Sequence, residues 1–256
     1  MVGKPKATDG DQDFRTVARM RLGIGLIGLL LPIAIPIVLM ITTMRLDGNG
    51  FPDSMSASYY THARNIFVGG MCAIGVFLIG YRRSRVDNWM SNFAGLFALG
   101  VALFPTSKPG SGDATDWTAR VHTGSAIGLL VLLGMFCVWR FPNGIERGHV
   151  LLKDSDRIYI GCGVGMAACA ALELADQFGY LSGWTVWPSP LYVSESVAVL
   201  LFGVAWLLKG WNLGHALRAG SVPLAPPQAL MPPGSTPVPP QPQPVGGPAG
   251  DPTTVP

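Results

Sequence analysis

Six long apolar stretches limit what this chain can fold into. Each approaches the ~20 residues that an α-helix needs to cross a hydrocarbon core of ~30 Å. They lie at about residues 22–44, 64–81, 88–105, 118–139, 158–176 and 190–209. Only 13% of the 256 residues are charged, roughly half the share found in soluble domains. We therefore predict an all-α fold, a polytopic membrane bundle of six transmembrane helices.

The distribution of basic residues predicts the orientation of these helices. Fourteen of the 18 lysines and arginines fall on one side: in the N-terminal tail, in the loops after the second and fourth stretches, and after the sixth. The other four are Arg45, Arg64, Lys108 and Arg120. Because basic loops stay in the cytoplasm, both termini are predicted to be cytoplasmic. The protein is then a multi-pass protein of the cell (inner) membrane.

Composition divides the chain into three parts. Residues 1–21 are predicted to be a basic cytoplasmic segment, with a short interfacial helix over 12–21 whose arginines meet anionic headgroups. Residues 22–212 form the six-helix transmembrane domain. Residues 213–256 are dominated by proline in their last part and should form a disordered cytoplasmic tail, because such a composition cannot bury a core.

Ionisable residues inside the predicted spans occur at one depth. Arg64, His122, Glu173 and Glu195 lie on four different helices, each within ~8 Å of the predicted outer boundary. Tyr60 lies one turn before Arg64. Since charged groups within a membrane are costly and often functional, these five residues are predicted to form an outward-facing polar pocket for a ligand. The alternative is that Arg64 pairs with Glu195 or Glu173 and only fixes helix packing.

The sequence gives little support for redox, metal, cofactor or nucleic-acid sites. The four cysteines lie in apolar runs and none is spaced as CxxC, so they are read as core residues rather than redox or metal ligands. No catalytic residue, metal site or cofactor is predicted. No basic run is long enough to indicate nucleic acid. The expected partners are the lipid bilayer and a protein or small ligand at the outer face.

Three segments carry a resemblance to known proteins. They are SMSASYYTHARNIFVG at 54–69, ALFPT at 102–106, and Glu195 followed by FGVAWLLKG at 202–210. With these segments, about residues 20–212 resemble an uncharacterised family of bacterial six-helix integral membrane proteins. The chain is similar more loosely to the Frag1/DRAM/Sfk1 type. The resemblance implies the six-helix architecture and no settled enzymatic activity.

A rival interpretation is the ceramidase/adiponectin-receptor type of intramembrane zinc hydrolase, which has seven helices and a three-histidine metal site. Here His62 and His122 lie on the predicted outer side, whereas the other two histidines lie on the inner side. Three histidines therefore cannot meet. A site of two histidines and one carboxylate would use His62, His122 and Glu195.

Three function hypotheses follow. The preferred one is a non-enzymatic structural, sensory or accessory membrane protein with an outward-facing polar pocket. The second is a proton-coupled small-molecule transporter that uses Arg64, His122 and Glu195. The third is an intramembrane metal-dependent hydrolase.

Overall fold

The fold is all-helical in a computed structural model of the chain. The structure describes residues 9–46, 52–108, 116–143, 154–180 and 188–219. The proline-rich tail beyond residue 219 and the first eight residues lie outside these ranges. Within them no strand occurs, which confirms the predicted all-α class.

Each predicted apolar stretch corresponds to one helix. The six α-helices of the described residues are α1 (Asp9–Leu46), α2 (Arg64–Gly80), α3 (Arg85–Leu103), α4 (Trp117–Met135), α5 (Ser155–Gln177) and α6 (Pro190–Arg218). A π-helical turn, Phe136–Arg140, continues α4, and a short 3-10 helix, Ser56–Tyr60, precedes α2.

Four of the helices are long and apolar enough to cross a membrane. The candidate spans are Phe14–Thr42 in α1, Trp117–Arg140 in α4 with its π-helical turn, Ser155–Gln177 in α5 and Pro190–Arg218 in α6. Helix α2 is apolar but has only 17 residues. The first turn of α3 carries Arg85, Asp87 and Asn88, which lower its hydropathy. Membrane crossing by all six helices and the location of the termini stay predictions.

The helices form a closed ring in chain order. Each packs against the next, and α6 packs back against α1. The contact between α1 and α6 is close because both helices have glycine there. A methyl group on Gly203 would lie 2.8 Å from the backbone nitrogen of Leu29 and 3.0 Å from the carbonyl oxygen of Gly25. Small residues allow helices to associate when lipid removes the hydrophobic drive.

The outside of the ring is apolar. On α1, Leu26, Leu30, Ile33 and Ile37 follow one face and are each about half exposed. On α3, Trp89, Phe93 and Leu96 repeat the pattern. Large exposed apolar surfaces are rare on soluble monomers, and lipid is the solvent that suits this one.

Helix α1 begins earlier than the first predicted span. It runs without a break from Asp9, so the separate interfacial helix expected over 12–21 is instead the first part of α1. Arg21 does not reach outward to headgroups. Its side chain is buried, donates a hydrogen bond from Nη2 to the Tyr81 hydroxyl at 2.6 Å, and lies over the Phe141 ring. For Arg21, aromatic rings inside the bundle thus replace the predicted lipid contact. Arg15 and Arg19 are exposed, and their contact with headgroups stays a prediction.

We call the two ends of the ring the outer end and the inner end, following the orientation that the charge pattern predicts. The outer end is where α1 ends and α2 begins; the inner end is where α2 ends and α3 begins. The inner end holds several buried polar contacts between helices. The Arg140 Nε donates to the Asp87 carboxylate, the Lys209 Nζ donates to the Phe141 carbonyl, and the Asn212 Nδ2 donates to the Tyr159 hydroxyl.

Candidate functional site

A polar cavity of about 190 Å³ opens among the helix ends at the outer end of the ring. Its polar lining comes mainly from α4, α5 and α6. The side chains that matter for its chemistry are His122, Thr123, Glu173, Asp176, Gln177 and Glu195. Three of the five predicted site residues, His122, Glu173 and Glu195, are therefore brought together at one cavity.

The segment before α2 closes part of this cavity. Residues Ser54–Tyr60, called the mouth segment, enter the outer end of the ring, and residues 54 to 58 are buried. The Glu195 carboxylate holds the segment in place. It accepts hydrogen bonds from the Ser56 backbone N–H at 3.0 Å and from the Ser56 hydroxyl at 2.9 Å. Both carboxylate oxygens of Glu195 thus have a structural partner.

His122 presents one ring nitrogen with a partner and one without. Its Nδ1 lies 2.7 Å from the Phe104 carbonyl oxygen. A carbonyl only accepts, so Nδ1 carries the proton and Nε2 of the neutral ring is an acceptor. The residue is 3% exposed, and Nε2 is buried without a hydrogen-bond partner among the described residues. Such a buried acceptor is costly unless a ligand or water satisfies it.

Glu173 lies at the boundary between two cavities. Its side chain is buried, with 7% exposure, and makes no hydrogen bond or ion pair within the part of the chain that the structure describes. It lines the polar cavity and an adjoining deeper one of about 40 Å³. The deeper cavity is apolar, with Met71, Leu129 and Leu130 in its wall.

The other two predicted site residues do not line the cavity. The Tyr60 hydroxyl donates to the Thr106 carbonyl at 2.7 Å, and partial burial, with the nearby Asp116 carboxylate, raises the pKa of the Tyr60 phenol. Arg64 is exposed; its Nη2 donates to the Tyr59 hydroxyl at 2.6 Å, and its guanidinium lies over the Tyr59 ring. The interhelical pair of Arg64 with Glu195 or Glu173 is not formed among these residues.

Sequence reasoning overlooked two groups. Asp176 lines the cavity one turn after Glu173, and the i, i+3 spacing on α5 could have revealed it. Ser56 gives the acidic site its link to the mouth segment, a contact across 139 residues that no local pattern signals.

The geometry does not assemble the metal site that the sequence allowed. His62 is exposed just before α2 and does not line the cavity that contains His122 and Glu195. In the described ranges, no group of three histidine, cysteine, aspartate or glutamate side chains could share an ion.

Asp116, at the rim of the outer end, has a local role. Its carboxylate accepts hydrogen bonds from the Thr118 hydroxyl at 2.6 Å and the Thr118 backbone N–H at 2.9 Å, and so caps α4. These two hydrogen bonds lower the pKa of Asp116, because they favour its ionised form.

Fold and site together define a class: a ring of helices, apolar outside, that carries an acidic polar cavity at one end. No protein-family model, no curated protein and no solved structure matches the chain. The resemblance to six-helix bacterial membrane proteins, and to the Frag1/DRAM/Sfk1 type, therefore stays a prediction.

Proposed function

We propose that this chain is a six-pass protein of the cell membrane that binds a small ligand at its outer face without converting it. Its role is then sensory or accessory, and both termini lie in the cytoplasm. The observation that carries the proposal is the convergence of His122, Glu173 and Glu195, from three helices, on one polar cavity. A ring with an apolar outside supports the placement in lipid.

The contacts around the cavity favour binding over catalysis. A nucleophilic mechanism needs a hydroxyl or thiol within hydrogen-bond reach of a base. Neither His122 Nε2 nor the Glu173 carboxylate has such a contact among the described residues. Glu195 holds the Ser56 backbone, so its carboxylate is committed to the fold.

The transporter hypothesis has less support from the geometry. A carrier needs a path that continues from the outer cavity toward the opposite side. Below the polar cavity the wall is formed by Met71, Leu129 and Leu130. At the inner end, Lys209 and Asn212 are buried and bonded to neighbouring helices. No observation favours this function over binding.

Accessibility to a membrane-impermeant maleimide tests the proposal. Thr123→Cys places a thiol in the cavity, Ser107→Cys places one in the exposed part of its lining, and Arg85→Cys places one at the exposed inner end. The four native cysteines are buried or half-buried and give a low background. In intact cells we expect labelling of the first two variants only, with Arg85→Cys labelled after permeabilisation.

Two results would contradict the proposal. Labelling of Arg85→Cys but not Ser107→Cys in intact cells would reverse the orientation. Failure to label Thr123→Cys from either side, while Ser107→Cys reacts, would mean that the cavity is closed to ligands.

A further inference from the structure

We propose that the outer cavity binds a small organic cation: a protonated amine that carries a short apolar group. The inference rests on the function proposed above and names the chemical class of its ligand. It follows from three features of the cavity, namely its charge, its unsatisfied acceptors and its shape.

The charge of the lining favours a cation. Glu173, Asp176 and Glu195 contribute three carboxyl groups to the cavity, and the described lining residues include no lysine or arginine. Arg64, which the sequence placed in the pocket, instead lies outside it against Tyr59. An anionic ligand such as a carboxylate or phosphate would meet like charge without a basic partner.

The unsatisfied groups favour a ligand that donates hydrogen bonds. Glu173 is a buried residue without a hydrogen-bond or ion-pair partner in the described chain, and a buried polar group is costly unless it is paired. The lone pair of His122 Nε2 is a second buried acceptor, on another helix. An ammonium group has three N–H donors and no acceptor, so it complements such a set.

The shape of the cavity favours an organic cation over a metal ion. The polar cavity adjoins the smaller apolar cavity at Ala126, Glu173 and Glu195, which line both. A metal ion would leave the apolar part empty and lacks a group of three described ligands. An alkyl group attached to an ammonium ion in the polar cavity would instead fill the apolar cavity. With about 190 Å³, the polar part is smaller than the roughly 300–1,000 Å³ of drug-sized pockets, so the ligand is compact.

Calorimetry on the purified full-length chain in lipid nanodiscs tests this inference. The probes are n-alkylammonium chlorides from methyl to hexyl, with n-alkyl carboxylates and n-alcohols of the same lengths as matched series. We expect only the ammonium series to bind. Each added methylene should tighten binding by roughly fourfold until the apolar cavity is full.

Two variants separate the charge from the apolar contact. Glu173→Gln keeps the shape of the side chain and should weaken ammonium binding about tenfold or more, because a charged partner is lost. Its thermal unfolding temperature should not fall, since Glu173 has no hydrogen-bond partner in the described chain that the substitution could remove. Ala126→Leu narrows the junction and should abolish the dependence on chain length while methylammonium still binds. Asp53→Asn, an exposed carboxylate outside the cavity, is the control and should have no effect.

The outcomes distinguish this inference from the function it rests on. Binding of carboxylates or alcohols as tightly as ammonium ions, with loss in Ala126→Leu, would overturn the ligand class and leave a binding cavity. Absence of binding by all three series while Thr123→Cys is labelled would also overturn the ligand class. A Thr123→Cys thiol that is never labelled would overturn the proposed function itself.

Discussion

At the scale of single residues, the two glutamates of the cavity differ in what they do. Glu195 accepts two hydrogen bonds from Ser56 and ties α6 to the mouth segment. Glu173, on the neighbouring helix, bonds to nothing within the described chain. The same side chain thus has a structural role at one position and is open to a ligand at the other.

This difference predicts unequal effects on stability. Glu195→Ala should lower the free energy of unfolding by about 1–3 kcal/mol, because it leaves the buried Ser56 N–H without its acceptor. Ser56→Ala should cost less, since the backbone N–H keeps its bond, and the double variant should cost less than the sum of the two. Thermal unfolding in detergent measures all three, with Glu173→Gln as the control. Strict additivity would mean that the two side chains do not interact.

Depth along a helix could be predicted from the sequence, but rotation about the helix axis could not. His122, Glu173 and Glu195 were expected at one level, and they share one cavity. Arg64 was expected at the same level, yet its guanidinium lies over Tyr59, outside the cavity lining. Which way a side chain points depends on the packing of α2 against its neighbours, and hydropathy carries no such information.

At the scale of the helices, the contact between α1 and α6 depends on the absence of side chains. Gly203→Ala should lower the free energy of unfolding by about 1–3 kcal/mol, because its methyl group would press on the backbone of α1. Gly124→Ala is the matched control in α4. A methyl group there meets nothing within 4 Å, so no loss is expected. Thermal unfolding of both variants in one detergent makes the comparison, and equal losses would refute the close contact.

The existence of the helices could be predicted, whereas the mouth segment could not. Runs of ~20 apolar residues predicted the positions of α1 to α6 to within a few residues, with two exceptions. Helix α1 begins early, and α6 continues to Arg218, past the predicted end at 209 and into the segment expected to be a disordered tail from 213. The mouth segment contains only one short 3-10 helix, Ser56–Tyr60, and has no periodic signal. Their position is fixed by Glu195, far along the chain, and long-range hydrogen bonds leave no local pattern.

At the scale of the whole molecule, polar contacts link helices at both ends of the ring. At the outer end, Glu195 bonds to Ser56 beside the cavity. At the inner end, Asp87 on α3 is buried, and its carboxylate accepts a hydrogen bond from the Arg140 guanidinium, at the end of the π-helical turn after α4. The sequence predicted Arg140 only as a cytoplasmic charge. Its buried partner could not be predicted, because an aspartate in the first turn of a helix, such as Asp87, is usually exposed to solvent.

The Asp87–Arg140 pair should contribute to the stability of the ring. Asp87→Asn should lower the free energy of unfolding by about 1–3 kcal/mol, since Arg140 would lose its charged partner in a partly buried site. Arg140→Gln combined with Asp87→Asn should recover part of that loss. Chemical unfolding in mixed micelles measures the cycle. A double variant as unstable as the sum of the single ones would show that the pair contributes nothing specific.

Closure of the ring by its first and last helices constrains how the chain matures. Helix α1 is made before its partner α6, and the described helices α2 to α5 are made between them. Until then the glycine face of α1 is uncovered and Ser56 lacks the Glu195 acceptor. A chain stopped before α6 would therefore leave the glycine groove of α1 open and the mouth segment unanchored.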